Sequence, residues 1–451
     1  MLSDLPDAPM ACREMRQNMR GFRNIRARRV VASAVTVAAA FGLAACGTSG
    51  PSTTTSAKGL TMWALNDQTI LKESVDAYNK DHPDEKITLQ LYANDDYKQK
   101  LRVAFGANQA PDLFFNWGGG ALDDYVKAGK VDALTAAQVK TDRFTPSVMQ
   151  SATFGGKVYG VPANGLAPVV LYYNKKVLKS AGVEPPKTYD ELMTAVGKLK
   201  GDGAIPMSLA ANSKWPTLMY LEYLLDRTGG SRAFSKIASG DATAWTDPTV
   251  TKANQYLQDL AKAGAFGNNA SSVNYDQGAS TALLYTGKAG MEVMGTWEYA
   301  NLVKAAPDFV KKDLGYVAFP ALTGGADNAK SIVGNPSNFL SLNASSGHKS
   351  AAIAYLKNYV LDDSQIDAYL AAGSVPPVNG LESKLASTKS SDKAWLTFVY
   401  DLVQNAPSFQ LSWDQALPSD QADPLLTNVD KSFLRQIKPE QFGANMSKAG
   451  S

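Results

Sequence analysis

The sequence predicts an α/β protein of two lobes. Short apolar strand candidates alternate with stretches of helical periodicity, a pattern that favours a parallel sheet carrying helices on both faces. About 400 of the 451 residues follow an N-terminal leader, too many for one core at ~100–200 residues per domain. No internal repeat and no coiled-coil heptad interrupts the alternation, so two α/β lobes account for the length.

The leader comes first. Residues 30–45 carry no charge, and only Ser33 and Thr36 interrupt their apolar run, while Arg20, Arg23, Arg26, Arg28 and Arg29 lie just upstream. That is the layout of an export signal, and the run falls short of the ~20 residues needed to span a bilayer. Val30 and Val31 follow the Arg28-Arg29 pair where a polar residue and Phe would mark twin-arginine export, so ordinary secretion is expected. The run ends in Leu43-Ala44-Ala45-Cys46, which resembles the lipobox of bacterial lipoproteins. The resemblance implies a signal peptide over 1–45 and a mature chain that begins at a lipidated Cys46. A diacylglycerol there supplies two acyl chains, enough for stable anchoring. Residues 47–58, rich in Ser, Thr, Gly and Pro, then read as a flexible tether between lipid and fold over 46–58. The expected location is the extracellular face of the cell membrane.

Charge and composition narrow the function. Taking the seven Arg and three acidic residues of 1–45 from the chain totals of 45 and 42 leaves 38 basic against 39 acidic residues, a near-neutral mature chain. A nucleic-acid partner wants a basic footprint, and none is expected here. Cys12 lies in the leader, so a mature monomer can form no disulfide and depends on burial for stability. With only His82 and His348, the chain has little raw material for a His-rich metal site or a Ser-His-Asp triad, and neither a metal nor a cofactor is expected.

Order is expected to begin near Gly59. Leu60–Leu65 reads as a strand, and Ile70, Leu71, Val75 and Tyr78 share one face of a following helix. Ile87–Tyr92 alternates as a strand, and residues 96–107 return to helical spacing through Tyr97, Leu101 and Phe105. Strand candidates continue at 111–115, 158–162 and 169–173. A helix over 349–361 places Ala352, Ile353, Leu356 and Tyr359 together, and the chain is mainly helical from Phe398 onward. In such sheets ligands bind beyond the carboxyl ends of the strands, so the loops there are the candidate site.

Three segments carry a family resemblance. Residues 165–178, GLAPVVLYYNKKVL, form an apolar strand ending in Tyr-Asn that runs into a helix. Ala181-Gly182-Val183, Pro185-Pro186 and Thr188-Tyr189-Asp190-Glu191-Leu192 follow, and Gly287-Lys288-Ala289-Gly290-Met291 precedes Gly295-Thr296-Trp297. In this order they resemble family 1 extracellular solute-binding proteins, maltose-binding-protein-like lipoprotein receptors of carbohydrate ABC importers, of actinobacterial type; Tyr189 stands where that family usually has Trp. The resemblance implies a periplasmic-binding-protein-like fold with hinge crossovers and a ligand cleft between the lobes. It places crossovers near 166–169, 315–319 and 361–365, giving an N-terminal lobe of 59–167 plus 318–362 and a C-terminal lobe of 168–317 plus 363–451. It also implies a monomer that takes an oligosaccharide and hands it to membrane permease subunits. A di- or trisaccharide of xylo-, cello- or amino-sugar type is expected, and a polyol or other small solute is the alternative.

A sugar presents C–H faces and a rim of hydroxyls, so its cleft needs aromatic surface beside donors and acceptors. Asn66-Asp67 follows the first strand. Asn116-Trp117 and the glycines 118–120 follow the third, where glycine lets backbone approach a ligand closely. The resemblance places Trp297 in the cleft, with Glu298 beside it, and Trp413-Asp414 at the second stacking position of the C-terminal segment. Further candidates are Asp96, Asn164, Asn212 near Trp215, and Asn335 with Ser337 and Asn338. Trp63, Trp245 and Trp395 are expected to pack internally, and Asn66, Asn116 and Asn338 have a plain alternative as caps or turn residues. None of the four best loops holds Lys or Arg, and no phosphate-binding Gly-Lys-Ser/Thr pattern surrounds the glycines, which argues against a phosphate ligand. A surface glycoside hydrolase would need two carboxylates ~5–9.5 Å apart. Glu292, Glu298 and Asp414 are available, but nothing in the sequence pairs them. A surface lipoprotein for adhesion would have no closable cleft.

Overall fold

The structure, a computed structural model, describes residues 59–326 and 330–450. The leader 1–45, Cys46 and the tether 46–58 lie outside the described residues.

The strands in chain order are β1 (Leu60–Leu65), β2 (Ile87–Tyr92), β3 (Leu113–Asn116), β4 (Thr153–Phe154), β5 (Lys157–Val158), β6 (Val161–Pro162) and β7 (Ala167–Asn174). After them come β8 (Ile205–Ser208), β9 (Ala289–Gly295), β10 (Leu314–Val317), β11 (Ile332–Asn335), β12 (Phe339–Leu342) and β13 (Phe409–Leu411). Two main sheets result. The first has the order β2-β1-β3-β12-β6, with β1 parallel to β2 and β3 and with β12 antiparallel to its neighbours. The second has the order β13-β11-β7-β9-β8, and β10 pairs with β7 beyond β11.

Local patterning explains the elements. Helix Asn94–Gly106 buries Tyr97, Leu101 and Phe105, the face its spacing predicts. Helix Thr69–Asp81 likewise buries Leu71, Val75 and Tyr78. Thr188 and Glu191 form a reciprocal capping box that starts helix Tyr189–Gly201, satisfying backbone N–H groups at its first turn. β7 is apolar almost throughout because it has neighbours on both edges and cover on both faces; Val169 to Tyr172 are fully buried.

Two crossovers join the sheets side by side. Residues 163–166 lead from β6 to β7, and 336–338 lead from β11 to β12. Ala163 donates its N–H to the Asn338 carbonyl at 2.8 Å, and Ser337 Oγ donates to the Asn164 carbonyl at 3.0 Å. The middle crossover therefore lies later than the expected 315–319. β10 and β11 both stay in the second sheet, because a four-residue strand joins whichever edge accepts it, and that partner is distant in sequence. The third crossover also comes later than 361–365. Helix Asp363–Ala371 still holds the first lobe: Gln365 Nε2 donates to Ile70 O at 3.2 Å and Tyr369 Oη donates to Ala163 O at 2.8 Å. The chain meets the second lobe after that helix: Gly373 lies against Tyr299 and its carbonyl accepts from Trp395 Nε1 at 2.7 Å, and Trp395, on helix Lys393–Gln404, stacks on Tyr299 at 4.4 Å. Trp245 and Trp395 pack internally, whereas Trp63 is half-buried with its ring edge-on to Tyr92.

Candidate functional site

The loops after β1, β2 and β3, both adjacent crossovers, and the second lobe's helix starts converge on a cavity of about 420 Å³. From the first lobe, Asn66, Asp67 and Gln68 follow β1, Asn94 follows β2 and Trp117 follows β3. Asn164, Asn335 and Asn338 come from the crossovers themselves.

The second lobe supplies an aromatic wall. Trp215 begins helix Trp215–Gly229, and Trp297 begins helix Trp297–Ala305. Tyr275, from a turn between helices, meets the Trp215 ring edge-on at 4.8 Å. Its hydroxyl is the hub: it accepts from Trp297 Nε1 at 2.8 Å and from Asn301 Nδ2 at 3.1 Å, and donates to Glu298 Oε2 at 2.8 Å. Trp297 folds back over Gly295, where a Cβ would stand 2.0 Å from the indole. The Gly-x-Trp spacing thus has a steric cause. Glu298 is buried beneath this wall, and burial raises its carboxyl above the ordinary range.

Opposite chemistry marks the first-lobe side. Trp117 packs edge-on against Tyr97 at 5.9 Å and Phe115 at 5.4 Å, so its ring is held from behind. Lys98 Nζ sits 4.9 Å from the Trp117 ring centre and pairs with Asp414 Oδ2 of the second lobe at 3.0 Å. The four loops hold no Lys or Arg, yet the cavity has a lysine, Lys98, which comes from helix Asn94–Gly106. Asp67 of this lobe and Asp276 of the second lobe face the cavity with exposed side chains, and the surrounding walls raise the proton affinity of both carboxyls. The side-chain oxygens of Asn335 and Asn338 are buried without a hydrogen-bond partner.

Of the expected site residues, Asn66, Asp67, Trp117, Asn164, Trp297, Asn335, Asn338 and Asp414 line the cavity. The others do not. Trp413 is a core residue, 1% exposed and stacked on Phe234 at 4.7 Å, because the turn that delivers Ser412 and Asp414 to the cleft points the residue between them inward. Asn116 spends its amide on Ser341 Oγ at 2.8 Å and accepts from the Gly118 N–H at 3.0 Å, a turn role. Glu298 supports Tyr275 from below, and Ser337 ties the two crossovers together. Asp96 is exposed, and Asn212 is exposed with its amide on Ser271 O at 3.3 Å. Glu292 is buried away from the cavity, so the Glu292 and Glu298 carboxyls do not face a ligand across it.

The glycines after Trp117 serve another purpose than the one expected. A Cβ on Gly119 would lie 2.5 Å from Gln415 O, and one on Gly120 would lie 2.5 Å from Leu417 C. They admit second-lobe backbone, not a ligand. Tyr275, Trp215 and Asn301 were missed by the sequence reading. Asn301 had a signal, standing one helical turn after Trp297 on the same face; Asn94, directly after β2, obeys the rule that picked Asn66. Tyr275, in an irregular turn, had none.

Comparisons with known proteins agree with this architecture. The family model for bacterial extracellular solute-binding protein matches residues 64–366. The diacetylchitobiose binding protein DasA of Streptomyces coelicolor is 28% identical over 351 residues, covering 74% of this chain and 77% of that protein. A solved structure from work on xylan utilization by the thermophilic bacterium Caldanaerobius polysaccharolyticus is 30% identical with a TM-score of 0.78, covering 86% of this chain and 99% of its own. A chitin oligosaccharide binding protein superposes with a TM-score of 0.77 at 25% identity, over 87% of this chain and 98% of its own.

Proposed function

We propose, from the premise that this chain belongs to the bacterial extracellular solute-binding proteins, that its cleft captures an oligosaccharide for an ABC importer. Such proteins are receptors, not enzymes: they hold a solute and pass it to a permease. The observation that carries the carbohydrate reading is the pairing of an aromatic wall, Trp215, Tyr275 and Trp297, with amides and carboxylates around one cavity. Rings take the C–H faces of a sugar, and the polar rim counts its hydroxyls.

Within that reading, Trp117 and Trp297 are the stacking surfaces, and Asn66, Asp67, Asn164, Asn335, Asn338 and Asp414 are the hydroxyl partners. The ligand is a di- or trisaccharide of xylo-, cello- or amino-sugar units. The lobes are 59–162 with 339–379, and 167–335 with 393–450; they swing about the crossovers to close on the ligand. The chain acts as a monomer, held on the extracellular face of the cell membrane by lipid on Cys46. Among the described residues no helix is long and apolar enough to cross a membrane.

Tryptophan fluorescence and thermal melting against a panel of short oligosaccharides test the reading. A ligand at 100 times its Kd raises stability by ~2.7 kcal/mol through mass action, a visible shift in Tm. If no saccharide moves either signal while a polyol moves both, the carbohydrate reading fails.

A further inference from the structure

The charges that face the cavity do not balance. Among the described residues, Asp67, Asp276 and Asp414 line it against a single cation, Lys98. Lys98 is already engaged: its ammonium pairs with Asp414, which is 8% exposed, and lies over the Trp117 ring. Asp67 and Asp276 have no cationic partner among the described residues; Asp67 accepts from its neighbour Gln68 Nε2 at 2.7 Å, and Asp276 accepts from the Asp95 N–H at 3.2 Å. Two negative charges are therefore left over.

A second feature of the same cavity points the same way. The Asn335 and Asn338 side-chain oxygens are more than nine-tenths buried and unpartnered, and both residues line the wall. These acceptors, with the two free carboxylates, call for a donor. A hydroxyl donates one hydrogen, whereas an ammonium donates three and accepts none. The nearby aromatic faces also attract a cation through their quadrupoles.

We propose that Asp67 and Asp276 make the cleft charge-selective, so that among saccharides of one size it prefers those bearing a protonated amino group and rejects those bearing a carboxylate or phosphate. This rests on the carbohydrate reading and names its ligand class more closely: a basic amino sugar.

Three disaccharides of matched size separate the possibilities: a β-1,4-linked glucosamine dimer with free amines, its N-acetylated neutral form, and a uronate-bearing dimer. Calorimetric titration of the purified protein at low ionic strength should rank them in that order, with at least about tenfold between the amine and the acid. Raising the salt to roughly 0.5 M should compress that spread, since screening weakens charge effects without touching neutral contacts. Asp67→Asn and Asp276→Asn should each narrow the ratio between amine and acid. Neutral dimer binding as tightly as the amine, or acid binding as tightly as either, overturns the inference while leaving the carbohydrate reading intact. Failure of all three to bind while a xylo- or cello-dimer binds overturns the inference alone; failure of every saccharide removes both.

Discussion

The two walls of the cleft are built on different principles. The second-lobe wall is a connected network, in which Trp297, Asn301 and Tyr275 share hydrogen bonds above the buried Glu298. The first-lobe wall is mostly separate loop residues, each placed by the end of its own strand, with Trp117 braced by ring packing and the Lys98 ammonium and by no hydrogen-bond network. A network fixes geometry before ligand arrives, so it spares the entropy of ordering on binding. Separate loops adapt, and they carry most of the polar selection. The contrast extends beneath the surface: buried carboxyls Glu222, Glu292 and Glu298 underlie the second wall, and among the described residues none is buried beneath the first.

The largest test of that contrast is the support of the second wall. Trp413→Ala should cost ~3–5 kcal/mol of stability, seen as a lowered denaturant midpoint, because the indole is core, stacked on Phe234 and edge-on to Trp245. Unchanged stability with lost binding would instead return Trp413 to the ligand face.

Next comes the pH response. Glu222 Oε1 accepts from Ser412 Oγ and from the Trp413 N–H, both at 2.7 Å, and burial pushes its carboxyl from 4.5 up to about 8. The folded protein holds this proton more tightly than the unfolded chain does. The stabilisation is fully present below about 4.5 and is lost as pH rises through about 8. At ~1.4 kcal/mol per unit the loss is on the order of several kcal/mol. Glu222→Gln, which cannot ionise, should flatten the fall in Tm between pH 5 and 8.5. A variant whose melting profile still parallels the parent's would exclude Glu222 as the cause.

Ligand affinity should divide the walls directly. Trp297→Ala removes a stacking face and unhooks Tyr275, so it should cost ~2 kcal/mol or more in binding free energy, a hot-spot loss. Trp117→Ala, which disturbs no hydrogen bond, should cost less in the same titration. Equal losses would mean that the network adds nothing beyond ring area. The smallest effect belongs to the exposed pair between lobes, Arg102 with Asp423 at 2.8 Å. Arg102→Ala should change stability by less than ~1 kcal/mol.

Much of this was legible in advance, for particular reasons. The face of helix Asn94–Gly106 and the strand β7 were readable because burial imposes a period on nearby residues. Trp297 was readable because Gly295, two residues before it, must be small to let the ring fold back. Trp413 was not, since an aromatic beside an acid in a loop looks the same whether it faces ligand or core. Lys98 was hidden for a related reason: on a helix otherwise read for its buried face, its polar side became a cleft wall only because the second lobe stands across from it.

The sequence by itself determined the alternation of strands and helices, the amphipathic faces, the family segments and the near-neutral charge of residues 46–451, since all of these are local or additive properties. Only the tertiary structure decided which sheet β11 joins, where the crossovers fall, that Tyr275 is the hub of the aromatic wall, and that Lys98 is neutralised by Asp414. Each of these depends on groups far apart in the chain that meet only when the two lobes pack, and no periodicity along the backbone records such a meeting.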